Sequence, residues 1–459
     1  MFEGFWYGDE GLYATQAEGI LRGRQLYSQV WDHKPPLLVW IYLIGGMFGW
    51  DTGYPLVKIL SILSGIVSII FVDKILIHQE IKKKLRITAL FIFSLLLSTP
   101  IFEGNIANAE VFFIPLNLAI VYLTLSSRRP LAVAGFLVLT FLIKPQSFAE
   151  AIAVIGASFL FDLFKGRINQ EFKYYLKVFL YFLSLVSIYI LFLLYSGSLN
   201  EFVDAAFVTN FLYVGGGNNN TFLKAIVIFS VVCIALYLLK KGRFRRSAFI
   251  LTINMVSSLF LVTLSGRPYP HYAIQLLPIV TLSGSVLLNV ERLKRTTKVL
   301  TIVTFLFFCG IFFRPQPSII KFDRVEPYIR YYSDFLRYAI LDDHSTKSYF
   351  WRNHVSNSTK REFYNYFNEN YPQTTYYYYG EESWIFTQID ANFTNKYLVW
   401  YHLTFTEDKL KEALLHRDQA ELVIVDDNSP VALEGFFHDF EEKFTLIDEY
   451  RNYLIYAKN

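Results

Sequence analysis

Repeated apolar stretches constrain this chain more than any other feature of its sequence. There are ten of them, at 56–77, 87–102, 111–125, 130–144, 148–164, 177–196, 222–239, 247–264, 271–289 and 298–313. A helix needs about 20 apolar residues to cross the hydrocarbon core, so several segments must extend into more polar flanks. Hydrophobic residues make up 53% of the chain, and the mean hydropathy of +0.32 exceeds what a soluble core requires. The pattern predicts an all-α, polytopic membrane protein.

Basic residues are distributed unevenly between the two alternating sets of loops. One set holds Lys82, Lys83, Lys84, Arg86, Arg128, Arg129, Lys165, Arg167, Lys173, Lys177, Lys240, Lys241, Arg243, Arg245, Arg246, Arg292, Lys294, Arg295 and Lys298. The other set holds little more than Arg267, with Lys144 and Lys224 at segment edges. The positive-inside rule therefore predicts that the first set is cytoplasmic and that the second set lies outside.

Three regions follow from this topology. Residues 1–55 are predicted to form an extracytoplasmic first loop with interfacial helices, and the short apolar stretch from Pro35 to Phe48 is predicted to be an interfacial or re-entrant helix. Residues 56–313 form the transmembrane domain. Because this arrangement puts the amino terminus outside, we expect a transmembrane helix to precede Met1, and unaided translocation of the terminus is the alternative.

Residues 314–459 change character, since Tyr, Asn, Asp and Glu replace the aliphatic runs. They predict a small, soluble, extracytoplasmic α/β domain. A helix is expected over Glu407–Leu415. The predicted strands are Tyr376–Tyr379, Tyr397–Trp400, Glu421–Val425 and Tyr453–Tyr456.

Several function classes receive no support from the sequence. A net charge of +4 does not indicate a nucleic-acid partner. Cys233 and Cys309 both lie in apolar stretches, which favours buried thiols over a disulfide, and no Cys–His metal spacing occurs. The chain also has no phosphate-cradling GxxxxGK motif, so a nucleotide substrate is not indicated.

The first outer loop carries the most informative polar residues. Asp9 and Glu10 are adjacent, and the sequence WDHKPPL follows at 31–37. A carboxylate that contacts an acceptor hydroxyl can take its proton as a general base. Lys34, held by the two stiff prolines after it, can bind a phosphate leaving group. Alternatively, the acidic pair caps a helix that begins near Leu12, and Lys34 snorkels at the interface.

The next outer loop and the segment edge near residue 144 hold further candidates. Polar residues at membrane depth are functional candidates by default, and this loop contains Glu103, Asn105, Asn108 and Glu110. For the asparagines, satisfaction of helix ends is the preferred interpretation. Lys144 breaks the charge bias of the outer loops and therefore requires an anionic ligand, Glu110 or Glu150 as its partner.

The sequence RPYPHY at 267–272 places a guanidinium and an imidazole outside, between prolines. Arg267 is favoured as a phosphate contact, because the guanidinium fork matches phosphate oxygens. His271 is either a plain interfacial histidine or a substrate contact. A metal between His33, His271 and a nearby carboxylate is a weak alternative.

These elements together resemble a known family. The acidic pair ahead of Tyr13, then Leu26-Tyr27, His33-Lys34-Pro35-Pro36-Leu37 and Trp40, resembles the first outer loop of the GT-C glycosyltransferases of the protein O-mannosyltransferase and aminoarabinose transferase superfamily. Later outer-loop elements of that superfamily are similar to Asn108-Ala109-Glu110, Lys144-Pro145, and Arg267 through Tyr272 with Pro278. The resemblance covers most of the chain up to Phe313.

The resemblance implies a GT-C fold in a plasma membrane, the inner membrane if the source is bacterial, with the active site outside the cytoplasm. The implied donor is a polyprenyl-phosphate monosaccharide, and the acceptor is a lipid, a glycan or a protein. No cofactor is required, although a divalent cation remains an option. The expected site residues are Asp9 and Glu10 for catalysis, Lys34, Arg267 and Lys144 for the donor phosphate, and Tyr13, Glu110, His271 and Tyr272 for the substrate.

Two other function classes compete with a glycosyltransferase. A polymerase or ligase of lipid-linked glycans would have a related architecture, but it would usually carry a large outer loop rich in arginine, and residues 197–221 contain none. A secondary transporter should show an inverted repeat and charged or broken helices at mid-membrane, which the sequence does not show.

Overall fold

A computed structural model describes residues 7–215, 221–241, 245–264, 267, 269–289, 333, 336–337, 349–427, 429 and 433–459. Within these residues the predicted fold class is confirmed, because a helical membrane domain precedes a small C-terminal α/β domain. The apolar segment at 298–313 and Cys309 lie outside the described residues.

The membrane domain and the loop before it are almost entirely helical. Their α-helices are α1 (Gly8–Leu21), α2 (Leu37–Gly46), α3 (Trp50–His78), α4 (Lys83–Ser98), α5 (Ala109–Ser126), α6 (Pro130–Ile143), α7 (Pro145–Phe164), α8 (Ile168–Tyr195), α9 (Leu199–Val203), α10 (Asn210–Gly215), α11 (Thr221–Lys240), α12 (Arg246–Leu264) and α13 (Leu276–Asn289). Short 3₁₀-helices span Pro100–Phe102 and Pro270–Gln275, and a π-helical turn at Asp204–Thr209 joins α9 to α10.

Six described helices are long and apolar enough to cross a membrane, namely α3, α5, α7, α8, α12 and the run Pro270–Asn289. The chain is thus a multi-pass membrane protein. The helix α3 is 29 residues long and begins at Trp50, before the predicted apolar segment at 56–77. Lys58 is one of the charged residues that this helix contains. The predicted interfacial helix is α2, whose ten residues are too few to span the bilayer.

The two ends of the helical bundle differ in their polar residues. At one end, Arg128 contacts Asp162 at 2.7 Å, and Arg246 lies 3.9 Å from the same carboxylate. These residues belong to the loops that the charge bias assigns to the cytoplasm. The opposite end carries α1, α2, the amino termini of α5 and α7, and the C-terminal domain, so the candidate site residues collect there.

Glycines allow a close approach between α2 and α3. A Cβ atom at Gly53 would collide with the backbone carbonyl of Gly45, whereas one at Gly65, further along α3, would meet only a side-chain carbon of Leu97 at 3.7 Å. This contact holds α2 against α3. The Tyr42 hydroxyl on α2 then donates to the Ala107 carbonyl at 3.0 Å, just before α5 begins.

The C-terminal domain contains a mixed sheet with the strand order β2-β1-β3-β5-β4. Its strands are β1 (Thr375–Tyr379), β2 (Asn392–Phe393), β3 (Leu422–Asp426), β4 (Phe444–Tyr450) and β5 (Tyr453–Lys458). Its α-helices are α14 (Tyr349–Asn370), α15 (Ile385–Gln388), α16 (Glu407–Gln419), α17 (Glu434–Phe437) and α18 (Phe440–Lys443). Strand β1 is parallel to β2 and β3, while β5 runs antiparallel to β3 and β4.

Sequence patterns located most of this sheet. The strands predicted at 376–379, 421–425 and 453–456 and the helix at 407–415 are confirmed. The strand predicted at Tyr397–Trp400 is wrong, because Tyr397 forms only a single bridge with Trp31 and a 3₁₀-helix begins at Trp400. The ring of Tyr397 packs instead against Trp31, with ring centroids 5.4 Å apart.

The C-terminal domain is docked on α1. The Thr15 hydroxyl donates to the Ser383 carbonyl at 2.6 Å, and the fully buried ring of Trp384 lies edge-on to the ring of Tyr54, with centroids 5.1 Å apart. Arg22 adds hydrogen bonds to backbone carbonyls of the segment after α15. This docking brings the domain beside the residues that line the site.

Candidate active site

A cavity at the end of the helical bundle that carries α1 and the C-terminal domain gathers residues from distant parts of the chain. It is lined by Asp9, His33, Lys34, Asn108, Lys144, Pro145, Gln146, Asn210, Arg267, Tyr269, His271, Tyr272 and Tyr401. Most of the predicted site residues are in this set. Glu10, Tyr13 and Glu110 are not, and each of them instead contacts a residue near or in the wall of the cavity.

Asp9 lies in the first turn of α1, where a negative charge is favoured by the helix dipole. The Asn108 side-chain amide donates to Asp9 Oδ2 at 3.1 Å. The carbonyl oxygen of the same amide accepts from the Tyr13 hydroxyl at 2.9 Å and from the Ala109 N–H at 2.7 Å. Asn108 therefore caps α5 and also fixes the position of Asp9. Tyr13 holds the side chain of Asn108 from behind the cavity wall.

Glu10 faces away from the cavity and is fully buried. Its carboxylate lies 2.6 Å from Lys58 Nζ, 2.5 Å from the Tyr54 hydroxyl and 2.7 Å from the Ala107 N–H. These contacts join α1, α3 and the loop before α5. Of the two adjacent carboxylates, only that of Asp9 is placed to meet a substrate in the cavity, and the position of Glu10 suits a structural role.

Three cationic side chains line the cavity, and neighbouring carboxylates orient two of them. Lys34 Nζ lies 3.1 Å from Asp32 Oδ2 and 5.1 Å from the centre of the Tyr13 ring. Lys144, whose partner the sequence left open, forms an ion pair with Glu110. Arg267 is the third cation. The three cations suit a ligand that carries negative charge.

Lys144 is held on two sides. Pro145 occupies the first position of α7 and leaves Lys144 extended just before the helix. The ammonium group lies 4.6 Å from the centre of the Tyr272 ring, in addition to its contact with Glu110. Glu110 and Tyr272 thus position this lysine, and Tyr272 also lines the cavity.

His271 pairs with a carboxylate of the second outer loop. Its Nδ1 lies 2.7 Å from Glu103 Oε2, and the Tyr7 hydroxyl donates to the same oxygen at 2.9 Å. Burial, reinforced by the charges of Asp9 and Glu103, raises the pKa of Tyr7 well above its usual value, so this hydroxyl remains a donor. The carboxylate that contacts His271 is therefore Glu103.

His33 belongs to a second, buried cluster, which adjoins the cavity. Its Nδ1 lies 2.8 Å from Asp32 Oδ1, and Nε2 of His402, from the C-terminal domain, lies 3.5 Å from the same oxygen. Burial lowers the pKa of His402 to about 4. Burial opposes ionisation of Asp32, but the charges of Lys34 and His33 hold the pKa of that carboxyl well below its usual value. Among the described residues, Asp32, His33 and His402 could hold a metal ion, since one ligand atom of each lies within 4.8 Å of the others.

A third polar cluster lies in the helices below the cavity. Glu150 on α7 accepts hydrogen bonds from Asn117 at 2.9 Å, from Ser258 at 2.6 Å and from Gln275 at 2.6 Å. All three donors are neutral. Glu150, which the sequence left as an alternative partner of Lys144, is thus satisfied elsewhere and ties α5, α7 and α12 together.

Several residues of the cavity carry no signal in the sequence. Asn210 donates to the His33 carbonyl at 2.6 Å and so fixes the loop that carries Lys34. Tyr401 reaches the cavity from the C-terminal domain. Neither belongs to a motif, and both are brought to the site by the tertiary fold alone. His402 was also missed, because a lone histidine in an aromatic stretch gives no local signal of a site.

Comparison with known proteins supports the fold. No protein-family model matches the sequence, and no curated protein matches it. The crystal structure of ArnT from Cupriavidus metallidurans bound to undecaprenyl phosphate is similar, with a TM-score of 0.50 and 13% identity over 98% of this chain and 93% of the ArnT chain. Over nearly its whole length, this chain therefore has the GT-C fold of ArnT.

Proposed function

We propose that this chain is a membrane glycosyltransferase that transfers a monosaccharide from a polyprenyl-phosphate donor to an acceptor hydroxyl or amine outside the cytoplasm. The observation that carries the proposal is the cavity in which the carboxylate of Asp9 faces the same space as Lys34, Lys144 and Arg267. The likeness to ArnT agrees with it, because that protein was crystallised with undecaprenyl phosphate bound.

The proposed chemistry divides these residues into two groups. Asp9 accepts the proton of the acceptor while the acceptor oxygen or nitrogen attacks the anomeric carbon. The bond between that carbon and the phosphate oxygen breaks, and the electron pair leaves with the polyprenyl phosphate. Lys34, Arg267 and Lys144 stabilise the negative charge that grows on the leaving phosphate. Attack from the face opposite the leaving group inverts the anomeric centre.

Pre-organisation of the cations favours this assignment. Lys34 and Lys144 each have one carboxylate neighbour, Asp32 and Glu110, which fixes the ammonium group before the substrate binds. A lysine held in this way loses little further freedom when it contacts phosphate. Arg267 adds a third cationic group to the same wall.

The test is glycosyl transfer in membranes, measured with labelled polyprenyl-phosphate sugars. The wild-type chain is compared with Asp9→Asn and Lys34→Ala, and exposed residues of the same types, Asp51→Asn and Lys411→Ala, serve as matched controls. Loss of a general base should reduce transfer by about 10²–10⁴-fold. Loss of a cation that stabilises the leaving group should reduce it by about 10²–10³-fold.

Other outcomes would redirect the proposal. Unchanged transfer in Asp9→Asn and Lys34→Ala would remove these residues from the mechanism. Transfer only from lipid-diphosphate-linked glycans would replace the proposed donor class and favour a polymerase or ligase. No transfer from any lipid-linked donor, with wild-type protein present in the membrane, would refute the glycosyltransferase assignment.

A further inference from the structure

The cluster of Asp32, His33 and His402 lies where the first outer loop meets the C-terminal domain. Asp32 and His402 are fully buried, and His33 is 6% exposed. Oδ1 of Asp32 is 2.8 Å from His33 Nδ1 and 3.5 Å from His402 Nε2. One ligand atom from each residue lies within 4.8 Å of the others, so the three donor groups are near enough to share one ion.

Among the described residues, neither ring nitrogen of His402 forms a hydrogen bond, although Nε2 lies 3.5 Å from Asp32 Oδ1. Its surroundings are aromatic, since the rings of Trp31, Tyr401 and Phe405 have centroids 4.7–6.1 Å from the imidazole centroid. A buried polar group without a partner is costly, and native structures rarely keep one without a reason. A ligand that bonds to Nε2 would remove this cost.

The geometry points to a site for a divalent transition metal ion, Zn²⁺ by its donor set, held by Asp32, His33 and His402. Two imidazoles and one carboxylate are ligands that Zn²⁺ prefers, at about 2.0–2.2 Å from the metal. Ligand atoms around a tetrahedral ion with such bonds are separated by roughly 3.3–3.5 Å. The two contacts to Asp32 Oδ1 bracket this spacing, and the two imidazoles, whose ligand atoms lie within 4.8 Å of each other, must move closer together when the ion binds.

The second oxygen of Asp32 supports the same assignment. Oδ2 faces Lys34 Nζ at 3.1 Å, while Oδ1 faces the two imidazoles. Asp32 can therefore serve the metal with one oxygen and hold the lysine with the other. A carboxylate shared in this way holds both the metal ion and the ammonium group of Lys34 in place. Ligating carboxylates commonly have such a second hydrogen-bonding partner.

Three protein ligands leave a fourth position on a tetrahedral ion. His33 and Tyr401, the residue next to His402, both line the cavity, so the site adjoins it. The ion would add two positive charges beside Lys34, and an anionic fourth ligand would balance them. If the proposed function holds, a donor phosphate oxygen fits this position, and hydroxide fits it otherwise. The metal would also tie the C-terminal domain to the first outer loop.

Metal binding to the full chain tests this site without any substrate. The purified protein in detergent micelles is stripped with a chelator, and Co²⁺ and Zn²⁺ are then titrated. Bound Co²⁺ is read from its visible absorption and Zn²⁺ from calorimetry. We expect one ion per chain, the intense absorption of tetrahedral Co²⁺, and a higher Tm of the bound form.

The variants are His33→Asn and His402→Asn, with the exposed His438→Asn as the matched control. Each ligand variant should bind Zn²⁺ at least tenfold more weakly, while the control should bind as the wild type does. If His402→Asn does not fold, His33→Asn still tests the site. Size-exclusion chromatography shows which variants are folded.

Two results would overturn the site. One is no stoichiometric Co²⁺ or Zn²⁺ binding by the stripped wild-type chain. The other is equal affinity in His33→Asn, in a folded His402→Asn and in the His438→Asn control, which would show adventitious binding only. Because no donor is present, failure of glycosyl transfer in the earlier assay would refute the proposed function and leave the metal site standing.

Discussion

The buried ion pair between Glu10 and Lys58 gives the sharpest prediction about this fold. Glu10 is fully buried and Lys58 is 4% exposed, and their charged atoms are 2.6 Å apart. In Lys58→Met the carboxylate keeps two neutral donors, the Tyr54 hydroxyl and the Ala107 N–H, but loses its counter-charge. Removing one partner of a buried pair destabilises a protein by about 3–5 kcal/mol.

This free energy translates into a shift of the melting temperature. Unfolding entropy is about 2.1 cal/mol/K per residue, so a chain of 459 residues that melts cooperatively has an unfolding entropy of about 1 kcal/mol/K. Lys58→Met should therefore lower Tm by about 3–5 °C. Glu10→Gln should lower it similarly, because it removes the carboxylate that lies 2.6 Å from the buried ammonium group of Lys58.

The assay is thermal unfolding of the full chain in detergent, extended to a double-mutant cycle. Glu10→Gln combined with Lys58→Met leaves no buried charge at this position, so it should recover much of the loss, with a coupling energy of about 2–3 kcal/mol. Lys74→Met is the matched control, since Lys74 is an exposed lysine on the same helix, and its Tm should change by less than about 0.5 °C.

The same variants separate the roles of the adjacent carboxylates. Well below its Tm, Glu10→Gln should retain glycosyl transfer within about tenfold of wild type, whereas Asp9→Asn should lose about 10²–10⁴-fold at unchanged Tm. Additive effects in the cycle, or a Lys58→Met variant as stable as the control, would refute the ion-pair reasoning. A loss of transfer in Glu10→Gln equal to that in Asp9→Asn would return Glu10 to the catalytic machinery.

Two further predictions concern helix packing and pH. Gly53→Ala should destabilise the chain by about 1–3 kcal/mol, because a methyl group there meets the backbone of α2, and thermal unfolding should show no such loss in Gly65→Ala. Hydrogen bonds from Lys443 and Arg417 lower the pKa of Asp439 to about 2. Because the pKa is lowered, the stabilisation is complete above about pH 4 and is lost as the pH falls towards 2. Hydrogen exchange of the C-terminal sheet should show that Asp439→Asn lowers the free energy of unfolding by about 1 kcal/mol at pH 6, after allowance for solvent screening. Near pH 2 the variant and the wild type should be equally stable.

The helical membrane domain could be predicted because the bilayer imposes its own rule. Backbone groups in hydrocarbon must be satisfied within the segment, so long apolar runs become helices whatever surrounds them. The unequal charges of the loops then predicted which polar residues share a side. That is why Asp9, Lys34, Lys144 and Arg267, far apart in sequence, could be grouped before their distances were known.

Neighbouring residues on one helix are harder to separate by sequence. Asp9 and Glu10 are adjacent on α1, and successive side chains of an α-helix point about 100° apart. Which of them faces the cavity depends on the rotation of α1 about its axis. That rotation is set by the contacts of Glu10 with Lys58, Tyr54 and Ala107, and no local pattern encodes them.

Local composition alone determined that this chain is a bundle of apolar helices, with polar residues collected at one end, followed by a small α/β domain. Only the tertiary structure decided which polar groups meet. Because the C-terminal domain docks on the first loop, Tyr397 forms a bridge with Trp31 and does not belong to a strand. The same docking places His402 against Asp32. The physical reason is the sequence distance between the interacting groups. The hydrogen bonds of a helix join residues that are neighbours along the chain, whereas a site joins side chains from distant segments, and their approach depends on how whole elements pack.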